Sequence, residues 1–252
     1  YTELRQSKAF QQEKLAYDIW TAAFYWPMDG SASEYPSPST IEKIRRNQHP
    51  EDEALQDLIE RATEVAEEER FFHWELEFPE VYQGHRTGFD VIIGNPPWEK
   101  VEFQEKEFFI TKSEDIANAQ NKAERGDLIN QLKDENTQLY EDFEKAKRRS
   151  ENRGKFFRDS GRYRLTGKGD LNYYHLFAEH DRKSINVNGR VGIVIASGIA
   201  TDYYSRDFFQ DLIKNKQLVS LYDFENSNGL FPEVHKSFKF SLLTLTGNNL
   251  PE

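Results

Sequence analysis

Ten residues constrain this chain more than any others. They are Phe89-Asp90-Val91-Ile92-Ile93-Gly94 and, directly after them, Asn95-Pro96-Pro97-Trp98. A run of Val and Ile that ends at a glycine reads as a buried strand of a parallel sheet, and two prolines stop strand pairing beyond it. The strand hands over to a rigid turn at the carboxyl edge of a sheet, where open α/β sheets bind ligands. The residue types there suit a flat ring bearing an exocyclic amine. Such an amine is a poor nucleophile, because its lone pair is delocalised into the ring. The Asn95 side-chain oxygen and the Pro96 carbonyl can each accept one N–H, which draws the nitrogen towards tetrahedral geometry and aims its lone pair outward. The fixed φ of Pro96 and Pro97 holds the carbonyl in place. Trp98 can stack on the ring, which must leave the duplex if it is a base of DNA.

A chain of 252 residues can bury a substantial core. No run of 18 apolar residues occurs, so a membrane span is not expected. The absence of cysteine excludes disulfides and thiolate metal sites and suits a reducing, cytoplasmic setting. The six histidines are scattered without ligand spacing, so no metal site is expected. A net charge of −11 argues against a free-standing nucleic-acid binder, but the charge is unevenly spread. Lys145 to Lys168 holds ten basic residues against Glu151 and Asp159, a local +8, while the rest of the chain carries −19. Arg148, Arg149, Arg153 and Arg158 lie in this segment with Phe156, Phe157 and Tyr163, and cations with interleaved rings suit a phosphate backbone. The same pattern in a solvated linker is the plainer alternative. Glu51 to Glu80 is the counterpart, with twelve acids against Arg61 and Arg70, and reads as a solvated helix face or one packed against another part of a larger protein.

Leu15, Ile19 and Ala23 recur at four-residue spacing and predict a helix that stops before Pro27. Residues 27–50, with four prolines, read as loop, and Leu55 to Ala66 as a second amphipathic helix. Phe72, Trp74, Leu76 and Phe78 alternate strictly, which predicts a strand ended by Pro79. Residues 102–149 read as a projecting helical insertion too sparse in apolar residues for a thick core. A helix over Asp170–Ser184 follows, then a buried strand over Arg190–Ile195, and then a helix capped by Thr201 or Asp202. Strands over Leu218–Phe224 and Phe240–Leu245 close the pattern. The fold class expected is α/β, a mostly parallel sheet ending in a β-hairpin, with a helical insertion. The division expected is a helical segment over 1–71, a catalytic domain over 72–101 and 161–252, and a basic-ended insertion over 102–160.

With these residues in view, the chain resembles the gamma-class adenine-specific DNA methyltransferases of the large restriction–modification methylase type. Phe89–Trp98 resembles their catalytic strand and loop, with Trp98 for the commoner Tyr. Gly169–Glu179 resembles the next helix, which places Phe177 against the adenine of S-adenosylmethionine. Asp170 either caps that helix or contacts cofactor or base. Asn188–Gly198 resembles the next strand, although Ala196 stands where the family commonly has Pro. Leu230–Lys236 resembles the loop whose Phe231 packs on the flipped base, sandwiching it against Trp98; Phe238 is the substitute for that role. The resemblance implies a Rossmann-like sheet and methyl transfer to the adenine amine of double-stranded DNA, in restriction–modification or related phage defence.

One departure matters. Such enzymes grip S-adenosylmethionine with a Gly-rich loop ahead of the catalytic loop, and no glycine pair before Asn95 has GxG spacing. Gly167-Lys168-Gly169 has that spacing, but a basic segment precedes it where a strand is required. The expectation is a piece of a larger enzyme, lacking its amino-terminal cofactor half and a target-recognition domain. Alone it would be inactive, with an unpaired sheet edge offering a route to self-association. The alternatives are methyl transfer to a protein glutamine or RNA guanine, and a non-catalytic DNA-binding or scaffold piece of a defence complex.

Overall fold

The computed structural model describes residues 2–27, 34–46, 52–82 and 87–247. In chain order the helices α1 (Thr2–Gln6), α2 (Lys8–Ala22), α3 (Pro38–Arg45), α4 (Glu53–Glu69), α5 (Trp74–Glu77) and α6 (Pro79–Tyr82) precede strand β1 (Phe89–Gly94). Helices α7 (Glu105–Phe109), α8 (Glu114–Ala117), α9 (Lys122–Glu135), α10 (Thr137–Asp159) and α11 (Tyr173–Ser184) lead to β2 (Ile185–Ala196). Then come α12 (Gly198–Thr201), α13 (Arg206–Lys214), β3 (Leu218–Glu225) and β4 (Lys239–Thr246).

The four strands form one sheet in the order β1-β2-β4-β3. β1 pairs with β2 in parallel, whereas β4 is antiparallel to both β2 and β3. The sheet is therefore mixed, not mostly parallel as expected. Helix α13 returns the chain so that β3 runs in the sense of β1 and β2, and β4 then doubles back between β2 and β3. The closing antiparallel pair matches the expected hairpin.

One face of the sheet carries the core. Val191, Ile193 and Ile195 of β2 lie beside Leu243 and Leu245 of β4 and pack under Tyr174, Ala178, Ile199, Phe208 and Leu212. β1 is not the buried strand that its composition implies. It forms the sheet edge, and Val91 and Ile93, on the face away from the core helices, are 57% and 82% exposed. Only Ile92 of its central residues turns towards the core, opposite Val191.

The strand predicted over 72–78 is a short helix instead. Trp74 and Phe78, four residues apart, stack at 5.5 Å and both meet Phe89 of β1. One helical turn puts the two rings on one side, where a strand could also have put them, so alternation alone could not choose. Residues 27–50 are not all loop either. Pro38 starts α3 at a position where its missing N–H costs nothing, and the Ser37 hydroxyl accepts from Thr40 N–H at 3.1 Å. Neither Thr201 nor Asp202 caps α13, which begins after Ser205, because Asp202 accepts the Tyr174 hydroxyl at 2.7 Å.

Two further cores flank the sheet domain. Helices α2, α3 and α4 bury Ile19, Ile44, Leu55 and Leu58. Helices α7–α10 bury Phe109, Ile116, Ile129, Leu132 and Phe143, a compact core where a sparse one was expected. Phe109 and Phe143 stack at 5.3 Å, so a few large rings fill the space that many aliphatic residues would otherwise need. The acidic and basic runs also meet: Lys145 pairs with Glu68 at 2.8 Å, and Arg149 and Arg153 both reach Glu69.

Candidate active site

Gly94 ends β1, and Asn95–Trp98 follow at its carboxyl end with no regular structure, as two consecutive prolines require. Pro96 is buried, while Asn95 is exposed and its side-chain amide bonds to no other described residue. Trp98 is half-buried, and its indole N–H donates to the Val194 carbonyl of β2 at 3.3 Å. That bond fixes the indole beside the strand while Asn95 stays open to solvent.

Trp98 lies in a cluster of rings from the loop between β3 and β4. Phe231 meets it edge-on at 5.0 Å and 67°, whereas Phe238 lies parallel to it at 5.7 Å and 10°. Phe240, on the sheet, stacks behind at 6.2 Å and 19°. The structure thus brings Phe231 to Trp98 as the sequence suggested, but the parallel face belongs to Phe238. Sequence reading missed the residue that shapes this loop. Asn226 is buried; its Nδ2 donates to the Phe231 and Val234 carbonyls, both at 2.9 Å, and its Oδ1 accepts Phe231 N–H at 3.0 Å. The Asn226-Ser-Asn-Gly229 run after a strand carries the turn signal that could have revealed it.

At the same sheet end, the Ser197 and Ser241 hydroxyls donate to Asp223. The Ser197 bond above all holds the Asp223 carboxyl below its usual range, against the opposing effect of burial. Behind the site, burial lowers His175 to about 4, against the opposing pull of Asp202 at 3.8 Å, so this histidine is neutral near pH 7.

The other expected residues are placed as follows. Phe177 is 39% exposed on α11, between the buried Leu176 and Ala178. It is therefore no part of the core under that helix. Asp170 is exposed and stands 3.7 Å from Lys100. Gly167 and Gly169 form no strand-to-helix loop. Gly167 packs on the Phe157 and Tyr163 carbonyls, and Gly169, with φ near +60°, lies under Tyr204, where a Cβ would collide. Arg149 and Arg153 are paired with Glu69, and Arg153 also donates to the Tyr173 hydroxyl at 3.1 Å. Arg158 reaches the Gly169 carbonyl at 3.3 Å, and Arg148 is exposed. Among the described residues no cluster of side chains could hold a metal ion, and no helix is long and apolar enough to cross a membrane.

An Asn-Pro-Pro-Trp turn at a strand end is a local motif, and the wider sequence decides the family. Residues 10–156, more than half of the chain, match the family described as Eco57I restriction-modification methylase. The chain belongs to that family. The Eco57I match runs unbroken through the amino-terminal helices, the Asn95 loop and α7–α10, so the helical segments on either side of β1 are part of the family pattern. Membership makes the chain a restriction-modification methylase by family and methyl transfer its chemistry. Phe177 and Phe231 lie beyond the matched residues. A search of curated proteins finds no match to this chain.

Proposed function

We propose that the protein methylates the exocyclic amine of adenine in double-stranded DNA, with S-adenosylmethionine as donor, in a restriction–modification or related phage-defence enzyme. One observation carries this reading: Asn95 is exposed and unbonded at the end of β1, three residues before an indole anchored to the sheet and faced by a parallel ring. An amide oxygen free of internal partners is available to an incoming N–H. The Pro96 carbonyl supplies the second acceptor, Pro97 keeps the turn rigid, and Trp98 with Phe231 or Phe238 supplies the flat walls. When the lone pair attacks, the two acceptors stabilise the positive charge that grows on the nitrogen.

S-adenosylmethionine supplies an electrophilic methyl on a sulfonium. The residues present fit one side of that donor. The exposed ring of Phe177 offers a surface for its adenine. Asp170 is the weaker candidate, because its carboxylate already faces Lys100. Arg148 and Arg158 are the two of the four arginines on the basic helix that no described carboxylate neutralises, and they are the ones we assign to DNA. The test is transfer of a labelled methyl to unmethylated duplex DNA by the full-length protein, followed by digestion to nucleosides. The label is expected in N6-methyl-2′-deoxyadenosine. Label in methylcytosine, or in a glutamine peptide or RNA offered in parallel, would contradict the assignment.

A further inference from the structure

A cleft of about 550 Å³ opens beside the residues that follow Trp98. Its walls are the segment from Lys100 to Lys106, the first turn of α9 and one flank of α10. Six of its lining side chains are cationic and four are anionic, a positive excess in a protein whose net charge is −11. The state of these cations is the informative point. On the flank of α10 that faces α4, Lys145, Arg149 and Arg153 are opposed by Glu68 and Glu69. On the cleft flank, Lys147 lies 6.0 Å from the Phe143 ring, and among the described residues neither it nor Arg125 forms an ion pair. Among the described residues Arg125 Nε is buried with no acceptor, an unmet donor in the cleft wall. Helix α9 adds the partial positive charge of its amino-terminal turn.

Gly154 contributes by its lack of a side chain. A Cβ there would stand 2.9 Å from Arg158 Nη1. The glycine thus lets Arg158 lie back along the helix to reach the Gly169 carbonyl, at the known cost of glycine in a helix interior. The cleft is also tied rigidly to the base-accepting loop. Tyr173 N–H donates to the Glu99 carbonyl at 3.0 Å and Val101 N–H to the Leu171 carbonyl at 2.9 Å. Lys100 lies five residues after Asn95, which sets an upper limit of about 17 Å on their separation.

We propose that this cleft holds backbone phosphates of the strand that delivers the target base, with Arg125, Lys147 and Arg158 as the contacts. The carboxylates set among the cations favour singly charged phosphates spaced along a chain over a compact, multiply charged anion. The proposal rests on the reading of Asn95–Trp98 as the base-accepting loop, and it adds where the strand runs and which cations hold it.

The test uses the full 252-residue chain and a fluorescein-labelled 24-base-pair duplex, with anisotropy titrations between about 50 and 200 mM salt. The double variant Arg125→Gln/Lys147→Gln should flatten the plot of log K against log salt by about 1.8, so that it loses roughly tenfold less affinity than wild type across that range. Lys145→Gln, whose charge Glu68 already opposes, should change the slope far less. If the double variant does not fold, Lys147→Gln alone should flatten the slope by about 0.9. An unchanged slope, or no salt-dependent binding by the wild-type chain, overturns the proposal. Asn95→Ala separates the two readings, since it should spare the salt slope and, in the full-length protein, slow transfer by roughly 100- to 1000-fold. A flattened slope in the cleft variant beside intact transfer by Asn95→Ala would leave the cleft standing and remove the base-accepting loop.

Discussion

Arg149 of the basic helix α10 donates its Nε–H to the buried carboxylate of Glu69 at the end of the acidic helix α4. Arg153 reaches the same carboxylate at 3.5 Å, so one nearly buried acid holds two guanidinium groups. The two charge runs of the sequence thus answer each other in part, and the local excess of +8 overstates what remains for a partner.

Glu69→Ala should therefore destabilise the protein by about 1.5–3 kcal/mol, the usual range for hydrogen bonds to charged groups. It should also free two cations and steepen the salt dependence of DNA binding. A thermal melt and a salt titration check both effects. An unchanged melting temperature would show that the pairing contributes nothing.

The rings around Trp98 are closed against each other. A flat base needs about 7 Å between two ring planes, twice the contact distance of carbon atoms. Trp98 and Phe238 have centroids 5.7 Å apart, so one of them must move to admit the base. Trp98 is anchored to Val194, which leaves the Phe238 side chain as the one to turn aside. Phe238→Ala should cost about 1–3 kcal/mol of affinity for a duplex mismatched at the target base. Phe231→Ala, which removes an edge contact, should cost less. Equal losses, or a larger one at Phe231, would give the stacking role back to Phe231.

Two buried groups predict opposite responses to pH. His175 is held near 4 by burial, below its ordinary 6.5. From pH 6.5 down to about 4 the unfolded chain takes up a proton that the folded chain refuses, so about 3 kcal/mol of stability is lost on acidification. Asp181, also buried, is pushed up from 3.8 to about 7 by desolvation. Its stabilising protonated state is fully present below pH 3.8 and is lost as pH rises through 7. Asp181→Asn should accordingly stabilise the protein by about 2–4 kcal/mol at pH 8 and leave it unchanged at pH 4. Urea denaturation at the two pH values measures this. Equal effects at both would place the Asp181 carboxyl in water.

What the sequence made legible were features set by local chemistry. The Asn95–Trp98 turn, the helix before Pro27, the helix carrying Tyr174 and the closing antiparallel pair all follow from proline, periodicity and turn residues. The misread strands, and the features no local pattern resolved, share a cause in tertiary context. Val91 and Ile93 look like core residues, but which strand becomes an edge depends on neighbours that no local pattern encodes. Trp74 and Phe78 fit a strand and a helical turn equally well, and their common partner Phe89 decided the matter. Arg149 and Arg153 could not be separated from Arg148 and Arg158 by sequence, because Glu69 lies eighty positions away. Phe238 and Phe231 differ by ring orientation against Trp98, which depends on the fold of a loop whose backbone Asn226 holds.

The proposed chemistry turns on Asn95 as acceptor of an N–H of the target amine. The direct measurement is single-turnover transfer of a labelled methyl from S-adenosylmethionine to unmethylated duplex DNA, comparing wild type with Asn95→Ala in the full-length protein. Loss of one preorganised acceptor at the reacting centre should slow transfer by roughly 100- to 1000-fold, with donor affinity unchanged. Transfer by Asn95→Ala at the wild-type rate would contradict the assignment.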